Sequence, residues 1–286
     1  MHRVCYDRMK KEMRRKCMEF FEDLLRLLDS KMTTPQPYGW FHLLWFAASI
    51  LVGVVLCCTH KKGDDARVRR TVLITAIIVT VMEIYKQINY SFSYENGIEF
   101  YYQWYIFPWQ FCSTPLFVGL IAGFTKKGLV HRATNAYLAT YALFAGLCVM
   151  CYPTTVFTQT IGINIQTMFC HGSMITVAIY LLGSGYVKAD KKTFLRAASV
   201  FAIAVGIAVL LNEIGYRTGL TNDHFFNMFY ISPYCDPHLP VYSIVQQYVP
   251  FPFCLFIYIA GFSAAVAIIL LAVKSIQLLV KKKVNV

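Results

Sequence analysis

The sequence predicts an all-α membrane protein, with about seven transmembrane helices in one bundle preceded by a basic amphipathic helix. Three observations carry that expectation. Hydrophobic residues fill 57% of the 286 positions and charged residues only 15%, too few charges for a soluble domain of this size. The apolar residues arrive in blocks that approach or exceed the roughly 20 needed to cross a ~30 Å hydrocarbon core. Lys and Arg gather in alternate short connections between those blocks, the positive-inside pattern of a membrane protein.

The first unit covers residues 1–37. In "CMEFFEDLLRLL" and just before it, Met13, Cys17, Phe20, Phe21, Leu24 and Leu28 recur at helical spacing opposite a strongly charged face. That pattern suits a helix lying on a membrane surface and equally a solvated helix. No cleavable leader is read here, because the stretch is long, basic and interrupted by acids before the first apolar block. Pro35 and Pro37 mark a break.

Residues 38–280 form the transmembrane domain, and 281–286 a basic tail. Seven spans are expected near Gly39–Cys58, Thr71–Tyr90, Trp104–Phe124, Asn135–Pro153, Gln166–Tyr186, Ala197–Tyr216 and Phe251–Val273. No internal repeat is evident. The connections after spans one, three and five and the C-terminal tail hold 5, 3, 4 and 4 Lys and Arg residues. The connections after spans two, four and six hold almost none. The first set is therefore expected to be cytoplasmic, which places the C-terminus in the cytoplasm and, with seven spans, the N-terminus outside. Nine Lys and Arg residues before the first span oppose that orientation, although nearby acids partly offset them.

The net charge of +12 does not point to nucleic acid, since its patches are brief and flank membrane spans. The ten cysteines carry no framework signal. None forms a C-x-x-C pair with partner histidines at zinc spacing, and most lie in apolar stretches as small hydrophobes.

Ionisable groups inside spans are costly, and each raises a functional question. Glu83, Lys86, Gln87 and Asn89 lie toward the outer end of span two, Gln110 and Cys112 in span three, His171 in span five and Asn212 beside Glu213 in span six. All are expected in the outer third of the membrane. Each has a plainer reading. Glu83 and Lys86, at i and i+3, can simply pair, and Glu213 can snorkel to the interface. A lone histidine is commonly structural, and a lone cysteine is commonly packing. Their shared depth is what favours a site.

A thiolate is a nucleophile when a base or cation activates it. His171 would serve as the base for Cys112, with a carboxylate such as Glu83 orienting the ring. Cys170 is the poorer candidate nucleophile, because neighbouring side chains on a helix diverge by ~100°. Phospholipid ester carbonyls lie near the headgroup–acyl boundary, within reach of that depth. This chemistry requires no cofactor. Asp223, His224, Asp236 and His238 in the loop 217–249 could gather a metal, but a solvated loop accounts for them, and no metal site is assigned.

"WQFCSTPLFVGL", "YALFAGLCVMCYP", "FCHGSMITVAIYLL" and "FNMFYISPYCDPHLP" resemble, in order, landmarks of the YwaF-type bacterial integral membrane family. That family is distantly related to transmembrane protein 164, described as an acyltransferase that moves polyunsaturated acyl chains between phospholipids. The resemblance implies catalytic roles for the cysteine of "QFCS", Cys112, and the histidine of "CHGS", His171. It does not extend to Glu83 and Lys86.

Three functions are consistent with the sequence. The first is a membrane acyltransferase using a Cys112 thioester and a His171 base, with a membrane phospholipid or lysolipid as partner, Glu83, Lys86, Gln110 and Asn212 in support, and a bacterial cytoplasmic membrane as its place. The second is a carrier of an ion or small polar solute through Glu83, Lys86, His171 and Glu213. The third is a scaffold or sensor without catalysis.

Overall fold

The computed structural model describes residues 2–94, 97–221, 225–235 and 240–284; the side chains of 2–9, 240–241 and 280–284 are not described. The chain forms an all-α bundle in which the one sheet among the described residues is a two-residue antiparallel pairing of Phe92–Ser93 with Glu99–Phe100. Helix α1 (His2–Leu28) precedes it.

Among the described residues, six crossings are long and apolar enough to span a membrane. They are α2 (Trp40–Cys58), α3 (Asp65–Asn89), α5 with α6 (Leu129–Ala139 and Tyr141–Cys151, one crossing bent at Thr140), α7 (Ile161–Gly183), α8 (Lys191–Arg217) and α10 (Phe251–Val284). A short helix α9 (Pro240–Tyr248) leads into α10. Burial sorts the crossings. In α5–α6 and α7, 72% and 67% of the apolar window is buried, against 17% in α2 and α3, so the first two form the centre and the others face lipid. Leu44, Leu51, Val81, Ile203, Leu210 and Phe256 are accordingly exposed, as lipid requires.

The expected third span departs from a continuous helix. Residues Trp104–Ile106 make one 3-10 turn, 107–113 are irregular, and only α4 (Thr114–Phe124) is α-helical. Eleven residues at 1.5 Å each reach roughly half of the hydrocarbon core. Proline explains where this happens. Pro108 lacks an N–H to propagate a helix, whereas Pro115 sits in the first turn of α4, where no donor is needed. α4 then packs closely on α3. A methyl group added at Gly119 would stand 3.0 Å from Ala76 Cβ, and one at Gly123 would stand 2.6 Å from Leu73 Cβ.

Short turns at 59–64, 125–128 and 184–190 share one end of the bundle, here the basic end. They are joined there by side chains. Arg67 donates to Thr59 O, His60 Nδ1 pairs with Tyr180 Oη at 3.0 Å, and His131 Nε2 pairs with Tyr186 Oη at 2.7 Å. The N-terminal segment ties into the far end. Met32 N donates to Gln159 O at 2.7 Å and Ile161 N to Ser30 O at 3.0 Å, while Tyr85 Oη and Asn89 Nδ2 of α3 donate to Leu28 O at the end of α1. Met13, Phe20, Phe21 and Leu27 of α1 are exposed.

Candidate functional site

The inward face of α3 reads Val68, Val72, Ala76, Val79 and Glu83, a stripe at helical spacing in which every member but the last is apolar. Glu83 is the hub of a buried polar network. Its Oε1 pairs with Lys86 Nζ at 2.8 Å and accepts Gln87 Nε2 at 2.7 Å. Its Oε2 faces Gln166 Nε2 of α7 at 3.5 Å. The same Gln166 amide lies 3.4 Å from Cys170 Sγ one turn along α7. Gln87 in turn donates to Ile106 O at 3.0 Å and accepts Tyr102 Oη at 2.5 Å, which fastens α3 to the irregular segment. The charges are thus paired and hydrogen-bonded, as burial demands. Sequence reasoning placed Gln166 at the start of its span and gave it no role. The signal was its i, i+4 spacing to Cys170.

Cys112 stands in non-helical backbone two residues before α4, not on a membrane helix. Irregular backbone at that depth survives only where protein satisfies it, and each neighbour supplies an anchor. Trp109 Nε1 donates to Ala204 O of α8 at 3.2 Å. Gln110 donates to Asn227 O at 3.0 Å and accepts Phe229 N at 2.9 Å. Phe111 packs on Phe262, Phe201 and Phe229 with ring centroids 5.1, 5.5 and 5.8 Å away. Thr114 Oγ1 meets Tyr137 Oη at 2.6 Å, which is itself stacked in the central aromatic column. The thiol is partly buried.

His171 is buried on α7. Its Nδ1 lies 2.7 Å from Thr167 O, and since a carbonyl only accepts, Nδ1 carries the proton. Nε2 of the neutral ring is then a lone pair, and it is buried with no hydrogen-bond partner among the described residues. An orphaned buried acceptor is rare enough to demand an explanation. Cys112 does not supply a hydrogen bond to it.

The expected common depth is redrawn. α7 begins at Ile161, so His171 is its eleventh residue rather than the fifth or sixth, and lies deeper than Glu83 or Asn212. Measured along the helices from the basic end, Thr114, two residues after Cys112, precedes Phe124 by ten positions, roughly 15 Å, and His171 precedes Gly183 by twelve, roughly 18 Å. By this count Cys112 and His171 come to similar depths near the middle of the bundle. Glu83 lies closer to the far end.

Gln110 and Asn212 do a different job from Glu83. Asn212 clasps Met228 through both its groups, Nδ2 to Met228 O at 3.0 Å and Met228 N to Oδ1 at 2.6 Å. Together with Gln110 they fix residues 225–232 against the Cys112 segment. This loop holds Phe225, Phe229 and Tyr230 at φ of 52°, 57° and 56°, a conformation unfavourable for bulky side chains that persists only when surroundings impose it. Glu213 turns away to Arg217 and Tyr234 at 2.6 and 2.7 Å and joins none of these groups. Asp223, His224, Asp236 and His238 lie outside the described residues, and no metal-binding group occurs among the described ones.

Two cavities flank the site. A groove of about 430 Å³ is lined by Glu83, Gln87, Pro108, Leu116 and Phe117 together with Ile84 and Ile88, which are exposed on the lipid side. Leu116 also borders a small, largely apolar cavity of about 30 Å³ that reaches Cys170 and Met174.

Neither curated proteins nor solved structures match the chain. The family comparison does: the model of the TMEM164 family matches residues 37–274, from just before α2 into α10, and includes every residue of this site. The chain is a multi-pass membrane protein and belongs to the TMEM164 family.

Proposed function

We propose that this protein is a membrane acyltransferase that moves an acyl chain between lipids through a thioester on Cys112, with His171 as base. The observation that carries the reading is the free Nε2 lone pair of His171, its tautomer set by Thr167, at the level of a cysteine held outside any helix. Nε2 takes the Cys112 proton, the thiolate attacks the ester carbonyl of a phospholipid, and the C–S bond forms as the ester C–O bond breaks. The departing lysolipid oxygen takes the proton back from Nε2. An acceptor hydroxyl then gives its proton to Nε2 and attacks the thioester, which restores the thiol.

Lys86 and Glu83 are positioning and electrostatic groups in this scheme, and Gln110 and Asn212 hold the cover over the nucleophile. The groove beside Glu83, bordered by exposed Ile84 and Ile88, supports lateral access for an acyl chain from the bilayer. The basic loops support an orientation with the C-terminus cytoplasmic and the N-terminus outside, and the motifs of the chain support a YwaF-type branch in a bacterial cytoplasmic membrane. A solute carrier fits less well. Glu83 and Lys86 are engaged with each other, Glu213 is engaged elsewhere, and the cavity that leads toward the basic end is lined chiefly by Val72, Leu138, Ala142 and Val177.

The test is reconstitution in vesicles that contain a phospholipid labelled in its acyl chain and an unlabelled lysolipid. The wild type is expected to transfer label to the lysolipid, and Cys112→Ala to lose that transfer. Transfer that persists at the wild-type rate in both Cys112→Ala and Cys112→Ser contradicts the proposal.

A further inference from the structure

A second concave site lies at the basic end, roughly half a membrane away from Cys112. A cavity of about 360 Å³ opens where the first turn of α5, the turn 184–190 and the start of α8 converge. Lys126, Lys127, Arg132, Lys188 and Arg196 line it, against two acids, Asp65 and Asp190. Among the described residues, none of the five cations is in an ion pair. Asp190 caps α8 by accepting Thr193 N at 2.8 Å, and that backbone hydrogen bond holds its carboxyl below the usual range.

Buried hydrogen-bonded side chains form the floor of the cavity. His131 is buried, with Nδ1 donating to Ala122 O at 3.2 Å and Nε2 accepting from Tyr186 Oη at 2.7 Å. Asn135, also buried, donates to His131 O at 2.7 Å. Topology alone accounts for cations near this end of the spans, but it asks nothing about where they point. Five unpaired cations around one hollow repel each other, and an anion seated among them relieves that repulsion. Lysine and arginine donors converging from separate elements suit the oxygens of a phosphate better than a single carboxylate, because several charge-assisted bonds can form at once.

We propose that this cavity binds a phosphate group, carried either by a lipid headgroup of the adjoining leaflet or by a soluble phosphate compound. The proposal is independent of acyl transfer at Cys112.

Thermal unfolding of the full chain in an uncharged detergent tests it, with inorganic pyrophosphate in one series, short-chain phosphatidic acid in another, and sodium chloride of equal ionic strength as reference. At saturating probe the wild type is expected to gain roughly 5 °C over the salt reference. Lys126→Gln/Lys127→Gln/Arg132→Gln should weaken binding at least about tenfold, the order of one or two lost charge-assisted contacts. Lys61→Gln/Lys62→Gln/Arg70→Gln, which removes three charges from the neighbouring turn 59–64 and the start of α3, should not. A gain from both probes identifies a site open to soluble phosphates, and a gain from phosphatidic acid alone identifies a headgroup site. Should the first triple variant not fold, Arg196→Gln carries the same expectation from α8. No gain from either probe, or an equal loss in the two triple variants, overturns the proposal.

Discussion

Segment 104–124 and helix α7 both cross the level of the site, and they do so by opposite means. α7 is one unbroken helix of 23 residues, central and mostly buried, and its backbone satisfies itself. Segment 104–124 is helical only in its second half, and its irregular half relies on side chains of other elements: Ala204 O for Trp109, the 227–229 backbone for Gln110, the aromatic column for Phe111. The first arrangement fixes an imidazole and its tautomer rigidly. The second brings a thiol out of the helical ladder, where its surroundings rather than helix geometry determine what it faces. A continuous helix would turn Cys112 toward one neighbour and bury it as packing. Breaking the helix before Thr114 is what makes a nucleophile of it in the proposed chemistry.

Variants that strike one region and spare the other sharpen this contrast. His171→Ala on the rigid helix is expected to lower acyl transfer by about a hundredfold to ten-thousandfold, the usual worth of a general base, with little change in thermal stability. Parallel transfer rates and melting curves check it, and an unaltered rate removes His171 from the chemistry. Glu83→Ala acts between the regions. It leaves the partly buried Lys86 without its partner and frees Gln87 and Gln166, which should cost about 3 kcal/mol of stability. Glu83→Gln, which keeps the shape and most hydrogen bonds, should cost less, and equal losses in denaturant melts refute the pairing argument.

Asn212→Ala acts only on the irregular region. It removes both bonds to Met228 and leaves buried backbone groups unpaired, at about 2 kcal/mol. Hydrogen exchange should rise in residues 225–232 and 109–113 while α7 stays protected. Uniform loosening of the whole bundle would show that the loop and the Cys112 segment are not a separate unit.

Much of this architecture was legible in the sequence, because lipid imposes length and apolarity on whatever crosses it. Apolar blocks located all six full crossings, and the order of Lys and Arg marked which turns share an end. The unwinding of 107–113 was written in Pro108 and Pro115, yet hydropathy averages over a window and reads the stretch as one span. The same averaging placed the start of α7 at Gln166, five residues late, so His171 was drawn too shallow and Gln166 lost its role. Gln110 and Asn212 stood out correctly as polar residues in apolar surroundings. Their partners are backbone groups of residues 227–229, and no side-chain pattern advertises a backbone acceptor. The basic cavity was equally hidden, since five cations spread from 126 to 196 converge only through the packing of α5 against α8.

Direct detection of the covalent intermediate tests the central claim most sharply. Protein incubated with a phospholipid donor and no acceptor should carry an acyl group, seen by mass spectrometry as a thioester on the peptide that contains Cys112 and removed by neutral hydroxylamine. The adduct should persist in Cys170→Ala and be absent from Cys112→Ala. Acylation that maps to Cys170, or acyl transfer that proceeds with no adduct on Cys112, would contradict the assignment of Cys112 as nucleophile.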